Sequence, residues 1–526
     1  MSRTFKTADY AATLESQVRL GECLPSEHLA RFVVDMVGLL DLAAIYRRYG
    51  AKGGQPYDPR LLLGVIAYGY LTGVFSSRKL ERATYESIPV RYIAGNLHPD
   101  HDTLANFRRT FLAEIEEAIV QVLLVAQQVG VLGAELAVVS QDGSKIHADA
   151  SKSQAVSYKR LLALEPRLRA EVAALLALAE QEEQREVPAG LVVGQEVALR
   201  EARLAQLAVA KAVLEARAAE RYAAEQAEYE GKLAERAAKE RRTGKKPGGK
   251  PPVPPTPGPR DTDQFNFTDP DSRIMKNGTD QGFDQHYNVQ VVVDQKSLLV
   301  VATTLSNHPN DQLEVAPTLD AMPPALGTPN AAALDAGYFS AANISACAAR
   351  GIEPYIAPGR DAHRQTLEDL LAPAPIPPPE TASPRVQMAY KLKTPEGKAI
   401  YRARKCTVEP VIGIIKEVLG FRQFSLRGVQ AAAGEWCLVC FAYNLKRLRA
   451  LLGGVLPSVA LALAAQRSAL AATDLLQAIG QAVACLPCVL LAPVFHQARQ
   501  ADLARSSPRS FFRTISPCSF ISPTGC

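Results

Sequence analysis

At 526 residues, with 47% hydrophobic and 21% charged side chains, the chain has material for two or three domains and a sizeable core, which excludes a disordered or disulfide-stapled miniature. A net charge of +5 and a pI near 8.6 permit contact with nucleic acid without requiring it. The opening MSRTFKTADYAATLES lacks the apolar run of a signal peptide, and the late apolar run from Ala482 to Phe495 is short for a membrane span and contains Pro487 and Pro493, so a cytoplasmic protein is expected.

Residues 1 to about 133 read as helices. PSEHLARFVVDMVGLLDLAAIYRRYG and DPRLLLGVIAYGYLTGV each present an apolar face, and Pro59 stands near the start of the second, where its missing N–H costs nothing. SSRKLERATYESIPVRYIAG follows, with Arg78, Lys79, Arg82 and Arg91. HPDHDTLANFRRTF then puts Asp102 or Thr103 in the capping position ahead of Arg108 and Arg109. Arginine pairs on small helices suit DNA phosphates, and solvated helix faces carry the same residues.

Leu136 to Ser140 is a short buried-strand run, expected to end at Gln141-Asp142-Gly143. An Asp at the end of an apolar strand is held rigidly at a sheet margin, whereas Asp-Gly by itself reads as a turn. From about Ser151 to Arg242 the composition shifts to Ala, Glu, Arg, Leu and Lys, the mark of long helices, and a hairpin is expected, self-packed or dimeric. RRTGKKPGGKPPVPPTPGPR closes it and should be extended and mobile.

Tyr287 to Val293 and Leu298 to Thr304 form a hairpin around Asp294-Gln295-Lys296-Ser297. Asp311 and Glu314 read as a capping box, a structural role. Ala331 to Leu334 is a further strand, ending at Asp335; a helix from about Ser340 to Arg350 and a strand over 352–357 follow, then a Pro-rich connection over 359–400. In Tyr401 to Phe424, Val408, Val411, Ile412, Ile415 and Leu419 make one apolar stripe, and Pro410 is tolerated in a first turn that Thr407 caps. Glu409 lies in that turn, Lys416 falls on the same flank, and Arg402, Arg404, Lys405, Arg422 and Arg427 surround them. The nine cysteines include Cys437/Cys440 and Cys485/Cys488, too far apart for a zinc ribbon; the first pair, in WCLVCFAYNL, is expected to pack as buried thiols. Strands on both sides of 151–262 need one sheet, so that stretch reads as an insertion.

Asp142 and Asp335 thus stand at strand ends and Glu409 on a later helix. Three carboxylates converging at a sheet margin can hold two divalent cations that act on a phosphodiester. YDPRLLLGVIAYGYLTGVFSSRKLERATYESIPVRYIAG, HPDHDTLANFRR, QDGSKIHADASK, NFTDPDSRIMKNGTDQGFDQHYNVQVVVD, LDAGYFSAANI and the Tyr401–Lys416 stretch, in this order, resemble a bacterial insertion-sequence DDE transposase. The resemblance implies a mixed α/β fold: a helical N-terminal DNA-binding domain (1–133), a ribonuclease H-like catalytic domain (134–150 and 263–449), a helical, coiled-coil-like insertion with its Pro-rich linker (151–262), and a tail (450–526) that matches nothing in the family. It implies that Asp142, Asp335 and Glu409 hold two Mg²⁺ or Mn²⁺ ions and carry catalysis. Glu409 and Lys416 fit the second half of a Tyr-Arg-Glu-Lys signature; Tyr401 and Arg404 fit its first half with one extra residue before Glu409. Lys416, Arg404, Tyr401, Arg108, Arg109, Arg78 and Lys79 are the expected DNA contacts. The implied activity is cleavage at terminal inverted repeats and strand transfer into target DNA, by a homodimer or larger assembly on DNA, at the nucleoid. A ribonuclease H-fold nuclease without transfer and an inactive coiled-coil DNA-binding relic are the alternatives.

Overall fold

Helix-forming sequence fills the first part of the chain and short β-branched runs the middle, and the two share one core. The structure, a computed structural model, describes residues 19–50, 54–181, 192–246, 248–277, 282–359, 376–379 and 381–456; the expectations for Cys485, Cys488 and the tail beyond 456 lie outside the described residues. The first helices are α1 (Leu29–Leu39), α2 (Ala43–Arg47), α3 (Pro59–Leu71), α4 (Ser77–Glu86), α5 (Ile88–Ile93), α6 (His101–Thr110) and α7 (Leu112–Gln128). Pro59 opens α3 behind the Asp58 cap, as its fixed φ allows. The cap of α6 is Asp100, which accepts from the Thr103 N–H at 2.7 Å, rather than Asp102 or Thr103: the helix begins a residue or two earlier than its apolar spacing marks.

Strands β1 (Val138–His147), β4 (Arg273–Lys276), β5 (Phe283–Asp294), β6 (Val300–Ser306), β7 (Ala331–Leu334) and β8 (Glu353–Ile356) form one mixed sheet. β6, β5 and β1 run antiparallel in that order, and β7 and β8 continue from β1 in parallel. The Asp294–Ser297 turn joins β5 to β6, with Asp294 Oδ2 accepting from the Ser297 N–H at 2.7 Å. β1 runs well past Ser140, so Asp142-Gly143 is not a turn; it lies in mid-strand, paired with Val291 and Gln290. A long antiparallel partner satisfies the backbone of both residues, which outweighs the local turn preference of the dipeptide.

Between β1 and β5 the chain leaves the sheet. β2 (Ala155–Ser157) pairs with β3 (Gln264–Asn266) at the root, and helices α8 (Tyr158–Gln181) and α9 (Val193–Thr243) pack on each other around Leu161, Leu207, Ala210 and Leu214, a small core of their own. The Pro-rich return is extended, as expected, but held against α9: Arg221 donates to the Gly258 carbonyl at 3.1 Å and Arg260 pairs with Glu225 at 2.7 Å.

The remaining α-helices among the described residues are α10 (Val315–Asp320), α11 (Ala341–Ala349), α12 (Pro384–Lys391), α13 (Pro395–Lys405), α14 (Val408–Gly413), which runs into a π turn at Ile414–Val418, and α15 (Val429–Leu451). α15 is buried from Gly434 to Leu445 and joins the two halves, packing on β6 on one side and on α3 and α7 on the other. Gly434 makes the close approach to α7 possible, since a Cβ there would stand 2.7 Å from Leu112 Cδ2. One contiguous apolar cluster runs from Leu24 through the sheet to Leu456. Cys437 and Cys440 lie in it, buried and unpaired, and burial pushes the Cys440 thiol up to about 12, the inert packing role expected of them. Among the described residues no helix is long and apolar enough to cross a membrane.

Candidate active site

Strand alternation decides which side chains of β1 face the site. Ser140, Asp142 and Ser144 point to one face, and each meets the segment 404–416. Thr407 Oγ1 lies 3.0 Å from Ser140 Oγ, Arg404 Nη1 3.2 Å from Asp142 Oδ2, and Lys416 Nζ 2.6 Å from Ser144 Oγ. Thr407 therefore does not cap α14 with its side chain as expected; its hydroxyl ties the helix to the sheet instead. The stripe of Val408, Val411, Ile415 and Leu419 is buried behind this contact, with Ile412 packed against it.

Register brings in the second aspartate. β7 pairs in parallel with β1 through Leu334 opposite Gln141, so the next residues, Asp335 and Asp142, leave the paired segment side by side. Glu409, on the first turn of α14, completes the group. All three carboxylates converge on one guanidinium: Arg404 Nη1 reaches Asp142 Oδ2 at 3.2 Å, and Nη2 reaches Asp335 Oδ1 at 3.5 Å and Glu409 Oε1 at 3.1 Å. Asp335 and Glu409 share one nitrogen, so those oxygens are on the order of 7 Å apart at most, a gap that two ions about 4 Å apart can bridge. As placed around Arg404, no three His, Cys, Asp or Glu side chains among the described residues close on a single ion.

The electrostatics fit a cation site. The Arg404 side chain is 5% exposed while Asp335 and Glu409 are each 50% exposed, so one buried positive charge faces three carboxylates at an open margin. Burial pushes the Asp142 carboxyl up to about 6, opposed by the Arg404 charge and the Gly143 N–H and reinforced by Asp335 and Asp311. The buried Arg404 Nε has no hydrogen-bond partner among the described residues. Hard oxygen donors around such a centre suit Mg²⁺ or Mn²⁺.

Tyr401 lies beneath this group, its ring centroid 5.8 Å from the Arg404 guanidinium. The extra residue between Arg404 and Glu409 is taken up where α13 ends and α14 begins, and both residues still reach the site. Lys416 is half-buried against β1, and burial lowers its pKa.

The helical candidates divide. Arg78, Lys79 and Arg109 are exposed, the last with Nη2 2.5 Å from Asn106 Oδ1. Arg108, expected to contact DNA, is buried instead: Nη1 donates to Tyr70 Oη at 2.8 Å and lies 3.7 Å from Glu435 Oε1. It faces inward because α6 turns that side toward α3 and α15, where Glu435, wholly buried, needs a counter-charge.

Asp311 is a further residue that sequence reasoning misassigned. It does not cap α10 through its side chain; Oδ1 accepts from Asn288 Nδ2 at 2.8 Å and Gln290 Nε2 at 2.9 Å. Tyr338, in the turn after Asp335, donates to Gln290 Oε1 at 2.5 Å, and Gln141 Nε2 reaches the Glu314 carbonyl at 3.2 Å. These groups form a polar layer behind Asp142, on the other face of β1, and Gly143 makes room for it: a Cβ there would meet Gln290 Nε2 at 2.3 Å and Asp311 Oδ1 at 2.7 Å. Gln141 and Gln290, both buried polar residues inside apolar strand runs, were the available signal.

Residues 18–110 match the family described as Transposase domain (DUF772), and residues 255–445 match the one described as Transposase DDE domain. No curated protein and no solved structure matches the chain. The second stretch contains Asp335, Glu409 and Lys416, while Asp142 lies upstream of it on the strand that pairs with both β5 and β7. A transposase helical domain at one end and a transposase DDE domain that includes Asp335 and Glu409 together support an insertion-sequence DDE transposase.

Proposed function

We propose that the protein cuts DNA at the ends of its own element and joins the freed 3′ ends to a target. The observation that carries this reading is the convergence of Asp142, Asp335 and Glu409 on a single buried positive charge at the sheet margin. Asp142, Asp335 and Glu409 would hold two divalent ions there. Bound ions supply Lewis-acid activation of the attacking oxygen and neutralise the leaving oxygen of the phosphodiester.

The chain's own residues do the rest. Lys416, anchored to Ser144 and the Lys145 carbonyl, holds a positive charge about two residues along β1 from Asp142, where it would clamp the phosphate beside the scissile bond. The buried contact between Thr407 and Ser140 keeps the Glu409 turn in register with Asp142. Arg404 serves two roles, as counter-charge to the carboxylates and, with Tyr401, as a DNA contact once ions take over that neutralisation. Arg109, Arg78 and Lys79 lie on exposed faces and would bind phosphates without reading sequence. Arg108 leaves this list.

The test is a plasmid carrying this reading frame with its flanking DNA, incubated with the protein in Mg²⁺. The wild type should nick at inverted repeats flanking the frame and join the ends to a second plasmid. Asp335→Ala should abolish both while still retarding the flanking DNA in a gel shift. Cleavage surviving in that variant would remove the catalytic assignment. Cleavage without joining would favour the nuclease alternative.

A further inference from the structure

α9 runs for 51 residues, about 75 Å, yet its last buried side chain is Ala218. The turns beyond Arg221 as far as Thr243 therefore extend past the hairpin's apolar core for roughly 35 Å, with the Pro-rich return held against their start by Arg260 and Glu225. Along the packed part of the hairpin the basic residues are paired: Arg200 with Glu171 and Glu196, Lys211 with Glu165, Arg221 with Asp263. Lys232 still pairs with Glu228 one turn back. Beyond it the charges turn predominantly basic. Seven of the fifteen residues from Arg236 to Lys250 are Lys or Arg, and Glu240 is the single acid among them. Lys239, Arg241, Arg242, Lys245, Lys246 and Lys250 are exposed and make no ion pair with a described residue.

A solvated helix end explains only part of this. Cations in the last turn answer the helix dipole, which covers Arg241 and Arg242 but not Lys239 or the lysines beyond Gly244. A helix kept soluble by its charges alternates their signs at i, i+4, as Glu228 and Lys232 do here. Glu235 with Lys239 and Arg236 with Glu240 keep that spacing, but from Arg241 to Lys250 the chain carries Arg241, Arg242, Lys245, Lys246 and Lys250 with no acid among them. Arg236, Lys239 and Arg242, three residues apart, share a face. No large apolar or aromatic side chain interrupts the stretch from 234 to 252, so it has neither the wedge that a lipid surface takes nor the anchor that a protein partner fills. A dense run of cations from Arg241 to Lys250, with no acid among them and no ion pair to a described residue, is complementary to a regularly charged backbone.

We propose that the end of the inserted hairpin is a second DNA-binding element, which lays Lys239, Arg241, Arg242, Lys245 and Lys246 on the phosphates of duplex DNA away from the carboxylate site. This rests on the reading of the protein as a DNA-acting enzyme. The experiment changes those five residues to Gln, a good helix former, in the full chain. Binding to a 40-base-pair duplex of arbitrary sequence is then titrated with KCl. The expected result is a log K against log salt slope flatter by about 3 to 5 and affinity lower by about tenfold or more near 0.1 M salt, with unchanged circular dichroism. The pair Lys245→Gln with Lys246→Gln, outside the helix and unable to unfold it, should flatten the slope by about 2. Slopes and affinities equal to wild type in both variants overturn the proposal and leave the enzyme reading untouched. A wild-type chain that retains no duplex at any salt overturns that reading, and the arm with it.

Discussion

Two arginines in this molecule are almost equally buried, and their surroundings differ in one respect. Arg404 is 5% exposed and faces carboxylates that are up to 50% exposed; Arg108 is 9% exposed and faces Glu435, which is 0% exposed. Around Glu435 the other acceptor positions are filled by the N–H groups of Ser425 and Leu426 at 2.8 and 2.9 Å and by the hydroxyls of Tyr70 and Ser425. Glu435 is thus a closed, saturated anion, and Arg108 is part of the seam between the N-terminal helices and the sheet. Asp335 and Glu409 keep oxygens open to solvent, so there the arginine is a counter-charge at an open margin, which the proposed ions would relieve. The same pair of residue types is sealed as a structural tie in one place and left open in the other.

The comparison can be broken by mutation, and the seam should respond most. Glu435→Ala leaves Arg108 buried without its partner and strips two backbone N–H groups of an acceptor, which should cost about 3 to 5 kcal/mol in urea unfolding. Divalent salt should restore none of it. A loss under about 1 kcal/mol would mean the seam is not sealed in solution.

Arg404→Ala sharpens the contrast from the other side. Three carboxylates then repel one another, at about 1 to 2 kcal/mol of stability in EDTA, and millimolar Mg²⁺ or Mn²⁺ should recover that loss by binding only the folded state. If Arg404→Ala and Arg108→Ala respond to Mg²⁺ alike, the distinction between open and closed clusters fails.

The smallest expected effect is on pH. Burial holds the Asp142 carboxyl near 6, and an ion needs it ionised. Mn²⁺ affinity measured by calorimetry should therefore be level above about pH 7 and fall by up to tenfold per unit as pH drops below about 6. An affinity that stays level down to pH 4.5 would show that Asp142 is not a ligand.

Much of the sheet-bearing half was legible in the residues. Ala331–Leu334 with Asp335 behind it, the hairpin around Asp294–Ser297 and the stripe from Val408 to Leu419 each follow from periodicity and turn chemistry, which act over a few residues. The grouping of Asp142, Asp335, Glu409, Arg404 and Lys416 was reached through the order of motifs along the chain. Their spacing was not: local patterns carry no distances between segments hundreds of residues apart.

Three things were decided only by tertiary structure. Asp142-Gly143 has a strong turn preference, yet β5 on one side and β7 on the other hold the start of β1 in the sheet, so pairing overrides the dipeptide. Asp311 with Glu314 has the spacing of a capping box, but Asn288 and Gln290 offer better-placed donors across the sheet. Arg108 and Arg109 are adjacent and chemically identical, and helix rotation alone sends the first to Glu435 and the second to solvent. Sequence determines which groups are present and which faces are apolar; which charged group is desolvated depends on what the opposite element presents, and that exists only once the chain has closed on itself.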